Sequence, residues 1–97
     1  TMLLDELLAR RSDIATLAQR FGASRIRVFG SVARCEEMPD SDIDFLVGFP
    51  RGYDLFAQRL PLAQGLSDLL NRQVDLIPEH ELNRHLREHV LGEAVEL

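Results

Sequence analysis

The apolar residues at the start of the chain recur at a helical spacing. They occupy positions 3, 4, 7, 8, 14, 17 and 18, which places them on one stripe of a helix. Gly22 follows where a C-terminal cap is expected. The pattern therefore predicts one amphipathic helix over residues 2–20.

The middle of the chain alternates between short strands and helical segments. Residues 25–29 and 42–47 alternate polar and apolar side chains as half-buried strands do, and residues 74–77 form a third apolar strand that Pro78 ends. The remaining helices are predicted at residues 32–34, 54–71 and 79–90, with Pro61 bending or starting the second and Gly92 ending the last.

This order of elements predicts the fold class. Helices and strands alternate along a chain of 97 residues, a length that suits one domain over residues 1–97. We expect a small α/β (α+β) domain whose helices flank a short sheet. A core this small leaves much surface uncovered, so a homo-oligomer or a hetero-oligomer is expected.

Composition narrows the classes of partner. The formal charge is −5, and all 11 basic residues are arginine. Because affinity for nucleic acid comes mainly from neutralised phosphates, nucleic acid is not expected as a partner. The chain has no Walker lysine, one cysteine and no apolar run of membrane-spanning length. Its start lacks a secretion signal, so a cytoplasmic location is expected.

Three aspartates stand on predicted strands. Asp42 and Asp44 are two residues apart, so their carboxylates project from one face of a strand. Asp75 lies within a later apolar strand, and pairing of the two strands would bring it to the same place. Clustered carboxylates suit hard cations such as Mg²⁺. Two such ions, roughly 3.5–4 Å apart, can hold the attacking and leaving oxygens of a phosphoryl transfer.

A Gly-Ser pair at a strand-to-helix turn supplies a candidate phosphate site. Gly30 lets the backbone approach a ligand closely, and the amides that begin the next helix favour an anion. Ser31 adds a hydroxyl, and Arg34 lies one turn further on. The sequence therefore predicts a triphosphate between this turn and the aspartates. An isolated D-x-D is usually a solvated acidic turn, and it is the combination with Gly-Ser and a third strand carboxylate that is specific.

Three segments resemble the motifs of the polymerase-beta-type nucleotidyltransferase superfamily: Gly30–Arg34, Ser41–Val47 and Val74–Leu76. The chain is most similar to the minimal nucleotidyltransferases, which consist of little more than the catalytic palm. The resemblance covers nearly the whole chain. It implies a palm with a short mixed sheet, two Mg²⁺ ions and a nucleoside triphosphate donor, most readily ATP.

The resemblance also implies roles for individual residues. Asp42, Asp44 and Asp75 become metal ligands and catalytic residues, Gly30 and Ser31 become phosphate contacts, and Asp75 also helps to deprotonate the attacking hydroxyl. Many minimal members resemble antitoxins that transfer AMP to a tyrosine hydroxyl of a HEPN-type ribonuclease toxin. The expected function is therefore that of a protein adenylyltransferase and antitoxin with a HEPN-type partner.

Two other functions stay open at this point. The chain could be an antitoxin that neutralises its partner by binding alone, with a vestigial site. It could also transfer nucleotides to RNA or to a small molecule, although it lacks an accessory domain to hold such an acceptor.

One residue departs from the family pattern, because Cys35 stands where the family usually has glycine. If that position needs a positive φ, cysteine is strained there and the phosphate loop is slightly altered. A small, semi-buried side chain is a better interpretation of Cys35 than a nucleophile.

Five further side chains admit a functional and a structural interpretation. His85 and His89 share a helix face, but a third zinc ligand is not evident, so solvated or partner-facing histidines are expected. Arg25 and Arg27 share a strand face and either pair with acidic groups or are solvated, the latter being favoured. Tyr53 either stacks on a nucleobase or packs within the protein.

Overall fold

A computed structural model of the chain describes residues 3–97, so the predicted helical residue Met2 lies outside the described part. The described residues form four strands, at Ile26–Phe29 (β1), Ile43–Val47 (β2), Val74–Pro78 (β3) and Val95–Glu96 (β4). The same part of the chain forms five α-helices, at Leu3–Ala9 (α1), Arg11–Arg20 (α2), Gly30–Ala33 (α3), Leu60–Leu70 (α4) and Arg84–Glu93 (α5). A π-helical segment covers Leu55–Arg59, and a 3₁₀ turn covers Glu79–Glu81.

The strands form one mixed sheet in the order β3-β2-β1-β4. β1 pairs antiparallel with both β2 and β4, whereas β2 pairs parallel with β3. The parallel pair needs a crossover, which the π-helical segment and α4 supply. The predicted α+β class with a short mixed sheet is therefore confirmed.

One face of the sheet carries the main core. The inward side chains of β1 and β2, such as Val28, Ile43 and Phe45, are fully buried against apolar residues of the helices. Leu7, Ile14 and Leu66 are among the helical residues in this cluster. The period-two pattern of the strands predicted this face correctly. The aspartates consequently belong to the other face.

The second face is covered in part by α5 and the 3₁₀ turn. Leu46 and Val90 are buried but lie outside the main core cluster. Arg27 projects from β1 on this face and is 7% exposed. Its guanidinium donates to Glu79 at 2.8 Å, so the favoured prediction that Arg27 is solvated is wrong. Arg25 pairs with Glu96 at 2.6 Å, and that pair is half exposed.

Three predicted helices differ in their boundaries. The predicted first helix is broken at Arg10. The break lies in a run of four polar residues, so no apolar side chain there would be buried by a continuous helix. The Arg10 side chain donates instead to the Leu69 carbonyl at 2.8 Å, at the end of α4. Before Pro61 the helix widens into a π-helical segment, because proline lacks an amide for the regular ladder.

The last helix begins five residues later than predicted, at Arg84 instead of residue 79. Asn83 caps it by accepting from the His85 amide at 2.8 Å, and asparagine is a preferred cap residue. The helix also runs through Gly92 to Glu93, past the predicted end. Among residues 3–97, no helix is long and apolar enough to cross a membrane.

Candidate active site

The pairing of β2 with β3 brings two of the predicted aspartates side by side. Asp44 and Asp75 are direct register partners on these parallel strands. Asp42 lies one residue before β2, not within it as the sequence predicted, and its side chain is exposed. Asp75 is also exposed, whereas Asp44 is half-buried. The three carboxylates therefore line one edge of the second face, with Asp44 the deepest.

The acidic neighbours of Asp44 affect its ionisation. Burial raises the pKa of Asp44 from 3.8 to about 6, and the negative charges of Asp75 and Asp42 act in the same direction. The nearby Arg34 guanidinium lowers this pKa, and Glu93 raises it further. A carboxylate in these surroundings gains from a cation that neutralises it and its neighbours.

The donor set fits a divalent cation that is shared with a ligand. Within residues 3–97, no three His, Cys, Asp or Glu side chains converge tightly enough to enclose a metal ion by themselves. Magnesium seldom uses such closed protein cages, because it usually binds one or two carboxylates together with water and substrate phosphates. An open edge with Asp42, Asp44 and Asp75 suits that mode of binding.

Gly30 is required at the turn beside Asp44 for two reasons. Its φ is +74°, a conformation that side-chain-bearing residues rarely adopt. A Cβ at this position would collide with Oδ2 of Asp44. Phe29, the residue before it, is the register partner of Asp44, so β1 carries the Gly-Ser turn directly to the acidic edge. The structure thus brings Gly30 and Asp44 together, as the sequence predicted.

A residue that sequence reasoning missed occupies this turn. The Glu93 carboxylate accepts from the Gly30 amide at 2.6 Å and from the Arg34 guanidinium at 3.0 and 3.1 Å. Its side chain is 14% exposed. Glu93 ends α5, where an acidic residue is unfavourable for the helix dipole. That misplaced charge was the available signal that Glu93 has a specific partner.

Cys35 adopts the conformation that the sequence made suspect. Its φ is +58°, and it follows α3 at a position where helices commonly end in glycine. The hydrogen bonds Cys35 N to Val32 O and Glu36 N to Ser31 O close this end of the helix. The cysteine is exposed, so the expectation of a semi-buried side chain is wrong.

Arg72 holds the loop that carries Asp42, a role that no sequence pattern indicated. Its guanidinium donates to the carbonyls of Ser41 at 2.7 Å and Met38 at 3.2 Å. Ser41 in turn accepts from the Met38 amide through its hydroxyl at 2.8 Å. These bonds tie the acidic loop to the end of α4 and fix the approach to β2.

The remaining candidates have structural partners. Tyr53 stacks on Phe49 with ring centroids 5.0 Å apart, which supports the packing interpretation. His85 is exposed, and His89 pairs with Glu93 at 3.2 Å. Within residues 3–97, the two histidines have no third side chain with which they could form a metal site. A groove of about 910 Å³ between α2 and α4 contains none of the predicted site residues.

Comparisons with known proteins agree with this fold. The sequence profile described as "Polymerase beta, Nucleotidyltransferase" matches residues 12–97. A candidate protein adenylyltransferase of Methanocaldococcus jannaschii is 33% identical over 87% of this chain and 89% of its own length. The protein adenylyltransferase MntA of Thermococcus cleftensis is 39% identical over 81% of this chain and 79% of its own length.

Solved structures give the same answer at the level of the fold. A candidate minimal nucleotidyltransferase is 46% identical, covers 100% of this chain and 98% of its own, and superposes with a TM-score of 0.85. One chain of a toxin–antitoxin complex solved with AMP-PNP is 28% identical, with a TM-score of 0.74 over 88% of this chain and 69% of its own.

The match extends to a complex described as a tri-AMPylated Shewanella oneidensis HEPN toxin with its MNT antitoxin. That chain is 25% identical, with a TM-score of 0.69 over 92% of this chain and 69% of its own. The fold and the acidic edge define a nucleotidyltransferase. The chain belongs to the polymerase beta nucleotidyltransferase family, within its minimal members.

Proposed function

We propose that this chain transfers AMP from ATP to a tyrosine hydroxyl of a HEPN-type partner and thereby acts as its antitoxin. One observation carries the chemistry: Asp44 and Asp75 are register partners on parallel strands, next to the Gly30 turn. The relatives named protein adenylyltransferases support the donor and the acceptor class. The AMPylated toxin in complex with a similar antitoxin supports the partner.

The roles of the residues follow from their positions. We assign Asp42, Asp44 and Asp75 to two Mg²⁺ ions, which supply charge neutralisation for the triphosphate and the leaving group. Gly30 and Ser31 bind phosphate oxygens through the turn, and Arg34 adds a guanidinium. The chain thus contributes positioning and electrostatics, the two largest sources of rate in phosphoryl transfer.

The reaction balances without another co-reactant. The acceptor oxygen attacks the α-phosphorus and forms the new P–O bond, while the bond from that phosphorus to the bridging oxygen breaks. Pyrophosphate leaves with the electron pair of the broken bond. The proton of the acceptor hydroxyl passes to Asp75, whose exposed carboxylate is accessible to an incoming side chain.

Label transfer tests this proposal. The chain is incubated with its HEPN-type partner, Mg²⁺ and ATP labelled at the α-phosphate, and label on the partner is measured. Asp42→Asn/Asp44→Asn is expected to abolish the label. Asp40→Asn is a matched control, because Asp40 is an exposed acid in the same loop that lies outside the site, and it is expected to transfer normally.

The label-transfer experiment also distinguishes AMP transfer from the second candidate function, neutralisation of the partner by binding alone. An antitoxin that acts by occlusion would protect against the partner in the double variant as well as in wild type, and no label would move. The exposed Asp42 and Asp75 give the occlusion hypothesis no support, because two solvent-facing acids beside a half-buried third have no packing role within residues 3–97.

A further inference from the structure

The Gly-Ser turn already holds an anion from its own chain. Glu93 lies 63 residues after Gly30 in sequence, yet its carboxylate accepts from the Gly30 amide and the Arg34 guanidinium at once. An amide and a guanidinium that both point at one carboxylate also form a good set of donors for a phosphate. The two groups assigned to the triphosphate are thus engaged by a side chain of the same sign of charge.

We propose that Glu93 is an affinity-determining residue of the nucleotide site, whose carboxylate the triphosphate displaces from the Gly30 amide and Arg34 on binding. This inference rests on the proposed function, because it takes that turn as the triphosphate site. Two like-charged groups cannot share the same donors at this distance. The net free energy of nucleotide binding is therefore the free energy gained by binding the triphosphate less the free energy needed to release Glu93.

The position of Glu93 makes its release feasible. Every residue from Arg84 to His89 is exposed, and Val90 is the buried residue of α5. The segment beyond the helix is held by the two-residue strand β4. Because α5 itself has few buried contacts, its local opening has a low free energy. Arg34 can meanwhile keep Glu36, to which it donates at 3.0 Å.

Inorganic triphosphate without metal tests this inference at the turn itself. Its binding to the full chain is followed by the amide resonance of Gly30, for wild type, Glu93→Gln and Glu88→Gln. We expect Glu93→Gln to bind about tenfold more tightly, because a competing charge is removed. Glu88→Gln removes the same charge from an exposed position of the same helix and should match wild type. Equal or weaker binding by Glu93→Gln would overturn the inference.

A second measurement uses the wild-type chain, in case Glu93→Gln folds poorly. Amide hydrogen exchange over residues 84–97 is compared with and without saturating triphosphate. Displacement of Glu93 loosens α5 and β4, so exchange there should accelerate while exchange in β2 and β3 does not. Slower or unchanged exchange over residues 84–97 would show that Glu93 stays in place and would contradict the proposal.

The two proposals fail in different ways. If no AMP is transferred but triphosphate still competes with Glu93, the proposed function fails and this inference holds. If AMP is transferred and Glu93→Gln has the same KM for ATP and the same triphosphate affinity as wild type, the inference fails and the function holds.

Discussion

At the scale of single residues, Asp44 determines how the site responds to pH. Its pKa is raised to about 6 by burial and by its acidic neighbours. Between pH 3.8 and about 6, the folded chain therefore keeps a proton on Asp44 that the unfolded chain has lost. The free energy of unfolding consequently falls as pH rises through this range. Above about pH 6, the ionised Asp44 carboxylate destabilises the folded chain by the full amount, and a bound cation would offset this destabilisation.

Asp44→Asn should therefore stabilise the metal-free chain at about pH 8 and change little at about pH 4. Because Asp44 is only half-buried, solvent screening limits the gain to on the order of 1 kcal/mol. Urea denaturation at the two pH values measures it. Added Mg²⁺ should stabilise wild type more than the variant, and a variant that is less stable at both pH values would refute this account of Asp44.

Gly30→Ala should damage both folding and nucleotide binding. The positive φ and the collision with Asp44 together cost about 1–3 kcal/mol, and the Gly-Ser turn has to shift away from the acidic edge. Gly52→Ala is the matched control, since a Cβ there meets no atom within 4 Å. Equal stability and equal ATP binding in the two variants would show that close approach at Gly30 is not required.

Cys35→Gly should stabilise the chain by about 1 kcal/mol, because glycine relieves the left-handed conformation at the end of α3. Denaturant unfolding measures the change. Since the thiol is exposed and outside the proposed chemistry, AMP transfer should be retained. A loss of transfer in Cys35→Gly would instead assign the cysteine a role in the reaction.

At the scale of elements, the buried pair between Arg27 and Glu79 fastens the 3₁₀ turn to β1. The Arg27 side chain is 9% exposed and that of Glu79 28%. Glu79→Gln should destabilise the chain by about 2–3 kcal/mol, because it leaves a largely buried guanidinium without its counterion. Glu96→Gln, at the exposed pair with Arg25, should have a much smaller effect in the same unfolding experiment. The reverse order would contradict this assignment.

The elements that the sequence predicted well are those with strong periodicity. β1, β2 and β3 were found because alternation of side chains places Val28, Ile43 and Phe45 on one face. β4 was missed because two residues carry no period. The break at Arg10 was missed because it depends on the Leu69 carbonyl, which lies 59 residues away.

The same limit applies to the site. Asp42, Asp44, Asp75, Gly30 and Ser31 were predicted from local spacing, and the pairing of β2 with β3 confirmed that Asp44 and Asp75 are neighbours. Glu93 and Arg72 were not predicted, since their roles depend on contacts with the turn and loop 63 and 31 residues away. Sequence patterns describe local geometry, whereas such contacts are set by the assembled fold.

At the scale of the whole molecule, the two faces of the sheet have different roles, one structural and one functional. One face is a continuous apolar core that fixes the strands. The other carries the acidic edge, the Gly-Ser turn and the lightly packed α5. The sheet is held rigid by its core face, whereas α5 on the other face is less stable. This combination suits a site that holds its carboxylates in place while admitting a nucleotide.

Nucleotidyl transfer at this acidic edge can be tested by following each phosphate of ATP separately. ATP labelled at the α-phosphate and ATP labelled at the γ-phosphate are each incubated with the chain, its HEPN-type partner and Mg²⁺. We expect the α-label to become attached to the partner and the γ-label to be released in pyrophosphate. Label from the γ-phosphate on the partner, or none from either donor, would contradict it.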